Sequence, residues 1–509
     1  MQFIIDVVLI LVYFFAFFLI CAWSWRFWVF YIQQKHISGI NWILLEIKLP
    51  RDIFKSPLAM EIALSSLMQG GGIGPAWYKQ FFLGNMASYA SLEIASLEGT
   101  LHFYIRLQKK FRPLLEANLY AQYPGIEILE ADDYTKKIRY HHLTKSVSAW
   151  GGNYSLSQKW KPTDLKTGKA YTDPKDSKEK YSMKADFLPI KTYVDYGLDK
   201  DPKEELKTDP ITPLLEFMGS VGKGEYVWYQ ILIQDESVYN AKKTGESGKK
   251  LPKFFLNEVS GERFTLKEMA EARKNQIRKF KLIRKGDLAY DQQGNPIQKT
   301  IRGKDGTAEQ QPVTYAEDRE MQSREAELTV EEKNEIEAIN KKISKPLALV
   351  VMRLMYVTKK ENFNGAHVND VLSILKPFAG VNSFAPSVTD PYDYPWQNVG
   401  GRRVAWRTEE KFDEYVRREG FFPLFNKRKS LDMWEDMFFW SSSMKTRKVF
   451  RLIYEIMFNP FETAVADQVS VLNMEELATL WHFPGAVAGT PTLPRIDSTK
   501  GVAPVNLPR

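Results

Sequence analysis

Six histidines, one cysteine and two short acidic clusters are the residues through which this chain could do chemistry. The histidines are His36, His102, His141, His142, His367 and His482. None has the spacing of a zinc-protease helix, which needs two imidazoles one turn apart on one face. His141 and His142 are adjacent and fall on a candidate strand, where neighbours point to opposite faces. On that reading they could not easily share one metal. Asp132-Asp133 and the group Asp432, Glu435, Asp436 have the character of solvated turns or caps. The lone cysteine, Cys21, excludes an intrachain disulfide and a Cys-based zinc site. Two glycine-rich stretches invite comparison with phosphate loops, Gly219–Gly224 and Gly70–Gly74. Both follow a helix instead of opening one, and neither has the Lys-Ser/Thr that completes a P-loop. No Gly-x-Ser-x-Gly elbow occurs. The expectation is no catalytic residue, no cofactor and no metal, although a site assembled from distant residues leaves no such trace.

The elements that would carry any site begin with an apolar run. Phe3–Trp25 (FIIDVVLILVYFFAFFLICAWSW) contains one ionisable group, Asp6. This matches the roughly 20 residues that cross a bilayer core. No basic residue precedes it, and Arg26, Lys35, Lys48 and Arg51 follow. Basic flanks stay cytoplasmic. The sequence thus predicts a single-pass anchor over 1–34, with its N-terminus outside the cytoplasmic membrane and the bulk of the chain inside. Trp23, Trp25, Trp28 and Tyr31 are expected at the interface. The net charge of +8 over 509 residues is a mild bias toward nucleic acid or anionic lipid.

After the anchor the pattern is mixed. Asn41–Leu49 reads as a strand and Pro57–Met68 as a helix with Pro in its first turn. Tyr89–Leu97 and Thr100–Leu107 read as a hairpin turning at Glu98-Gly99, followed by a helix over Lys109–Gln122 and a strand at Ile126–Glu130. This β-α-β-β-α-β order predicts a ferredoxin-like module over 40–136. A second module is predicted over 185–388, with strand Phe187–Val194, helix Ile211–Val221, strands Glu225–Ile233 and Lys345–Thr358, helix Asn364–Pro377 and closing strand Gly380–Phe384. The fold class is α+β.

A long insertion, 235–344, separates the central strands of the second module. Ala241–Lys285 holds fourteen Lys and Arg against five Glu, whereas Ala308–Glu337 holds ten acids against three basic residues. Thr265 with Glu268 and Thr329 with Glu332 form capping boxes. Asp287–Ile301 is expected to be a small hairpin turning at Gly294-Asn295. One reading is a basic helix neutralised by an acidic one. The other is a basic face for DNA or lipid, formed by Arg273, Lys274, Arg278, Lys279, Lys281, Arg284 and Lys285. Lys159–Lys184 reads as a polar loop. The region 389–489 is aromatic-rich and mainly helical. A helix is expected at Glu409–Arg418, and Ser430–Phe458 forms either a core helix pair or a surface resting on the membrane. Residues 490–509 are Pro-rich and extended.

The segment Met474–Gly485 (MEELATLWHFPG), then Thr490-Pro491 and Val502–Pro508, resembles the stretch just before the motor domain of conjugation-type ATPases of the type IV secretion and DNA-translocation class. Pro57–Glu61, Tyr123–Tyr134 and Gly224–Ile233 resemble the membrane-anchored front part that accompanies such motors in bacteria. The resemblance implies a non-catalytic, membrane-anchored scaffold holding a separately encoded P-loop ATPase at the cytoplasmic face, with assembly into oligomers. It implies partner docking through Leu477, Trp481, His482, Phe483, Pro484, Pro491, Pro504 and Leu507. From the residues alone, His482 suits a helix C-terminus, with Pro484 ending the helix. The tail after Thr490 is expected to pack weakly on its own chain and to dock on the motor, or to be a frayed end. The competing function is a membrane-anchored enzyme whose site is not visible in sequence.

Overall fold

The computed structural model describes residues 31–50, 55–68, 82–85, 88–142, 146–161, 183–199, 208–235, 328–388, 402–421, 469–485 and 493–496, short stretches between 255 and 320, and scattered helical positions before 31. The chain is mixed α+β and divides into two compact units. The first comprises 1–157, 189–252 and 344–509; the second comprises 158–188 and 253–343.

The first unit is organised by a ten-stranded sheet. Its first half runs β1 (Trp42–Pro50), α1 (Pro57–Met68), β2 (Tyr89–Leu97), β3 (Thr100–Gln108), α2 (Arg112–Gln122) and β4 (Glu127–Glu130). β4 pairs with β1, β1 with β3 and β3 with β2, all antiparallel. The second half repeats the order: β5 (Val147–Leu156), α3 (Thr212–Ser220), β6 (Glu225–Asp235), β7 (Leu347–Lys359), α6 (Gly365–Ser373) and β8 (Phe384–Val388). Here β8 pairs with β5, β5 with β7 and β7 with β6, again all antiparallel. The helices α4 (Leu266–Ile277) and α5 (Val330–Ser344) fall in the connection between β6 and β7.

The halves join edge to edge through β2 and β6, from Tyr89 opposite Gln234 to Leu97 opposite Tyr226. Glu93 faces Gln230 at the midpoint. Each half's second strand would otherwise present unpaired N–H and C=O groups, and the seam satisfies both edges at once. Two short C-terminal strands extend the sheet. β9 (Ser470–Asn473) pairs antiparallel with the start of β7, and β10 (Arg495–Ile496) pairs parallel with the end of β1.

The two sheet faces differ in chemistry. On one face Leu45, Leu92, Phe103, Ile105, Tyr229, Ile231, Met352 and Leu354 form a continuous core with Met60, Leu64, Leu115, Leu119, Leu215 and Val371 from the four helices. Period-two alternation turns the intervening residues to the other face. There Tyr104, Trp228, Met355 and Val357 meet Tyr134 with Phe412 and Tyr415 of α7 (Arg402–Arg417). Glu93, Gln230 and Arg353 occupy the same parity on that face.

Several expectations change. Phe187–Val194 is not a strand but a run of turns. Pro189 removes one ladder donor, and the N–H groups of Ile190 and Tyr193 are taken by the side chains of Glu476 and Thr479. The first strand of the second half is β5, 40 residues earlier in the chain by the difference between Val147 and Phe187. The helix expected from Glu409 begins at Arg402. The hairpin expected at Asp287–Ile301, with its turn at Gly294-Asn295, falls mostly outside the described residues, since 284–297 is not described; Gln298–Arg302 pairs with Ala308–Pro312. Both capping boxes form, Thr265 with Glu268 and Thr329 with Glu332. Ser430–Phe458 lies outside the described residues, as does most of Phe3–Trp25. Among the described residues no helix is long and apolar enough to cross a membrane.

The β2–β3 hairpin turns on two left-handed residues, Glu98 at φ 56° and Gly99 at φ 87°, as a tight two-residue loop requires. A Cβ on Gly99 would sit 2.8 Å from the carbonyl oxygen of Val221. Gly99→Ala is expected to lower stability by about 1–3 kcal/mol, read from the midpoint of urea denaturation. An unchanged midpoint would show that the turn relaxes without cost.

Candidate functional sites

Three polar constellations stand out in the first unit. The deepest lies at the seam. Glu93, fully buried on β2, receives Arg418 Nε at 2.8 Å and Nη2 at 3.1 Å. Tyr134 donates its hydroxyl to the same carboxylate at 2.8 Å, Gln230 donates Nε2 at 3.1 Å, and Ser91 donates its hydroxyl. The Arg418 guanidinium also reaches Asp133 at 2.8 and 3.1 Å. Burial would raise the Glu93 carboxyl, but the charge and hydrogen bonds of Arg418 bring it below its ordinary value. Asp133 is lowered in the same way, burial opposing and Arg418 prevailing.

The backbone explains how Arg418 arrives there. α7 ends with Arg418 at φ 54°, the N–H of Arg418 bonding Tyr415 O and that of Glu419 bonding Glu414 O. This is a Schellman ending, usually closed by glycine. Arg418 takes the left-handed position, and its side chain is thereby aimed at the seam. The sequence showed Glu93 only as one acid in an alternating strand and Arg418 only as a helix terminus. No spacing rule connects residues 325 positions apart.

The second constellation surrounds α8 (Met474–Leu480), within the segment whose motif carries the family resemblance. Asn473 and Glu476 form a capping box, with both bonds at 2.8 Å. Glu475 lies 3.0 Å from Lys345, which also holds Glu61 at 2.6 Å. The Lys345 ammonium is lowered by burial but raised further by these two carboxylates, and ends above its usual value. Thr479 accepts from Tyr193 N at 3.0 Å. His482 bonds Ala478 O through Nδ1 at 2.9 Å and Asp209 through Nε2 at 3.1 Å. With acceptors at both nitrogens the ring donates from each, as an imidazolium does. Burial lowers the His482 pKa and Asp209 raises it, with a net rise; Asp209 is lowered by His482 against its own burial.

The expected docking residues are therefore differently placed. Leu477, Trp481, His482, Phe483 and Pro484 are all buried in the chain's own core, Trp481 and Phe483 packing edge-on to Phe103. They hold α8 in place and present no surface. Pro491, Pro504 and Leu507 lie outside the described residues. The tail is not loose throughout, because Leu493 is buried and Arg495–Ile496 pairs with β1.

The third constellation corrects the reading of the paired histidines. Tyr140–His142 is not a strand. The two imidazoles stack with centroids 4.7 Å apart and 23° between planes. Both face the buried carboxylate of Glu409 on α7: His142 Nδ1 contacts Oε2, and His141 Nε2 lies 3.8 Å from Oε1. The three ligand atoms lie within 4.8 Å of one another. Alternation of side chains fails here because the chain is turning.

In the second unit, Arg273 of the basic helix α4 forms a two-pronged bond to Glu335 of the acidic helix α5, at 2.7 and 3.1 Å. Lys274 bonds Asn340 at 3.0 Å. Two of the seven candidate nucleic-acid residues are thus engaged by the acidic helix, and Arg278 is only partly exposed. Lys279, Lys281, Arg284 and Lys285 lie outside the described residues.

Arg418→Met would leave Glu93 buried without its cation, at a cost of about 3–5 kcal/mol in chemical denaturation. Adding Glu93→Gln should recover part of that loss; equal damage in the single and double variants would mean the pair is not coupled.

The His482–Asp209 pair predicts a pH dependence with a defined sign. The raised histidine contributes fully below its ordinary 6.5, and this is lost as pH rises through the higher folded value. The depressed aspartate contributes above its ordinary 3.8, and this is lost as pH falls through the lower folded value. Stability should therefore decline as pH rises above the ordinary histidine value of 6.5, and His482→Gln should flatten that slope. A slope identical in both proteins would assign it elsewhere.

No protein-family model, curated protein or solved structure matches this chain.

Proposed function

We propose that this protein is a membrane-anchored, non-catalytic scaffold of a type IV secretion or conjugation-like apparatus, holding a separate P-loop ATPase at the cytoplasmic face of a bacterial membrane. The observation that carries the reading is a set of exposed large apolar side chains near the N-terminus: among the described residues Tyr13, Phe17, Ile20, Trp28 and Tyr31 are helical, with exposures of 71%, 65%, 61%, 46% and 60%. Exposed apolar side chains of this size are unfavourable in water and are relieved by lipid or by a partner. The two β-α-β-β-α-β halves, read as ferredoxin-like modules, supply a broad platform. Their shared sheet is stiffened by the Glu93–Arg418 pair and by the polar contacts that lock α8. The buried α8 makes the resemblance motif a structural clasp in this reading, and leaves motor contact to the segment after Ile496.

Membrane fractionation and affinity capture test the two parts separately. The full chain should stay in the membrane pellet after alkaline carbonate washing, and deletion of residues 1–30 should release it. Deletion of 497–509, which spares β10, should leave folding unchanged and reduce capture of the ATPase at least several-fold. A full chain extracted by carbonate would remove the anchor from the proposal, and undiminished capture would remove the tail.

A further inference from the structure

His141, His142 and Glu409 belong to no part of the proposed scaffold's clasp or seam. The segment bearing the histidines leaves β4 and leads to β5, so it joins the two halves of the sheet. Glu409 lies on α7, which covers the polar sheet face. Two neighbouring contacts fix these elements against each other. Tyr140 donates its hydroxyl to Ala405 O at 3.2 Å, and its ring packs against Phe412 at 6.3 Å. Ala405, Glu409 and Phe412 are spaced i, i+4, i+7, so they share one helix face. The carboxylate is consequently held on a rigid backbone, opposite a chain segment anchored one residue from the first histidine.

The donor set is chemically specific. Glu409 is 8% exposed, and among the described residues its charged partners are the two imidazoles, with no Lys or Arg in a salt bridge to it. The backbone N–H of His142 donates to Oε2 at 2.9 Å, orienting the carboxylate toward both rings. Two ring nitrogens and one carboxylate oxygen within 4.8 Å form a facial N2O set. Ligands of a tetrahedral zinc ion stand about 3.3 Å apart, from metal–ligand distances near 2.0–2.1 Å. His141 Nε2, 3.8 Å from Glu409 Oε1, lies close to that spacing, and its side chain is 50% exposed. The same exposure provides an entry path and leaves the fourth position to water.

We propose that His141, His142 and Glu409 bind a divalent transition-metal ion, with zinc the best match to two imidazoles and one carboxylate. The ion would clamp α7 to the segment joining the two halves. The competing account is a hydrogen bond from His142 to Glu409 with no metal; it keeps a proton on Nδ1, which a metal must displace.

The full chain in detergent, stripped with a chelator, is dialysed against zinc and the bound metal counted; a parallel sample is loaded with cobalt(II) for its visible absorption. One zinc per chain, a raised melting temperature and a tetrahedral cobalt spectrum are expected. His141→Ala removes a half-exposed ligand without disturbing the core and should weaken zinc binding about tenfold or more. Glu409→Gln should do the same, and unchanged melting of the metal-free variants checks their folding. Substoichiometric uptake overturns the site. So does one zinc bound with unchanged affinity in both variants, since that ion sits elsewhere. Neither result depends on membrane attachment or on an ATPase.

Discussion

The pairing of β2 with β6 is the constraint on which the rest of the first unit depends. Two four-stranded halves are each left with an edge at their second strand, and they become one sheet only by sharing it. The midpoint of that seam carries a carboxylate on one strand and an amide on the other, Glu93 opposite Gln230. A buried carboxylate there is costly unless it is paired and fully hydrogen-bonded. Arg418 supplies the charge, and Tyr134, Gln230 and Ser91 supply the remaining donors. The need to satisfy one acid thus dictates where α7 ends, why a non-glycine residue adopts the left-handed cap, and why the segment Asp133-Tyr134 after β4 folds back over the sheet. A hydrophobic pair at 93 and 230 could bury more apolar area, but it would tolerate register slips that the fork of Arg418 does not.

The opposite sheet face is governed by burial instead. Four helices cover it, and its core is almost entirely aliphatic and aromatic. The polar groups that reach it come from α8 and its neighbours, and they bond to one another. Glu476 caps its own helix and also holds Ile190 N, while Thr479 holds Tyr193 N. These side chains replace the ladder that a strand at Phe187–Val194 would have had. The family-like motif around Trp481–Pro484 is consequently explained by the internal demands of this clasp, whatever the protein binds.

The first half was legible because its signals are local. Its alternation is clean, the turn Glu98-Gly99 has the residue type that a tight hairpin needs, and Pro57 and Tyr123-Pro124-Gly125 mark the helix boundaries. The strands β6 and β7 were legible for the same reason, being rich in β-branched and aromatic residues without a break. β5 was not. Its sequence VSAWGGNYSL places two glycines in mid-strand, where propensity argues against a strand. The space at both positions is tight: a Cβ on Gly151 would meet Met355 Sδ of β7 at 2.8 Å, and one on Gly152 would meet the Trp150 ring of β5 itself at 3.0 Å. Close packing around mid-β5 therefore favours residues that disguise the strand. FLPIKTYV carries more strand-like residues and is claimed by side chains from α8.

The same distinction between local and tertiary information separates the candidate sites. The capping boxes and the basic-acidic helix pair follow from spacing within a few residues, or from bulk charge, and both were readable. The ion pair of Glu93 with Arg418 and the convergence of His141, His142 and Glu409 join residues more than 260 positions apart. Neither end of such a contact carries a recognisable motif. In the histidine pair, the strand rule gave the wrong geometry because it assumes extended backbone. Once the chain turns after β4, adjacent side chains fall on the same side, and α7 brings the carboxylate that gives their adjacency a chemical meaning. The cap helix therefore has two charged attachments on one face of the sheet, Arg418 at its end and Glu409 in its middle. The first is buried and fixed by the fold. The second is also buried, but one of the two imidazoles it faces, His141, is half exposed.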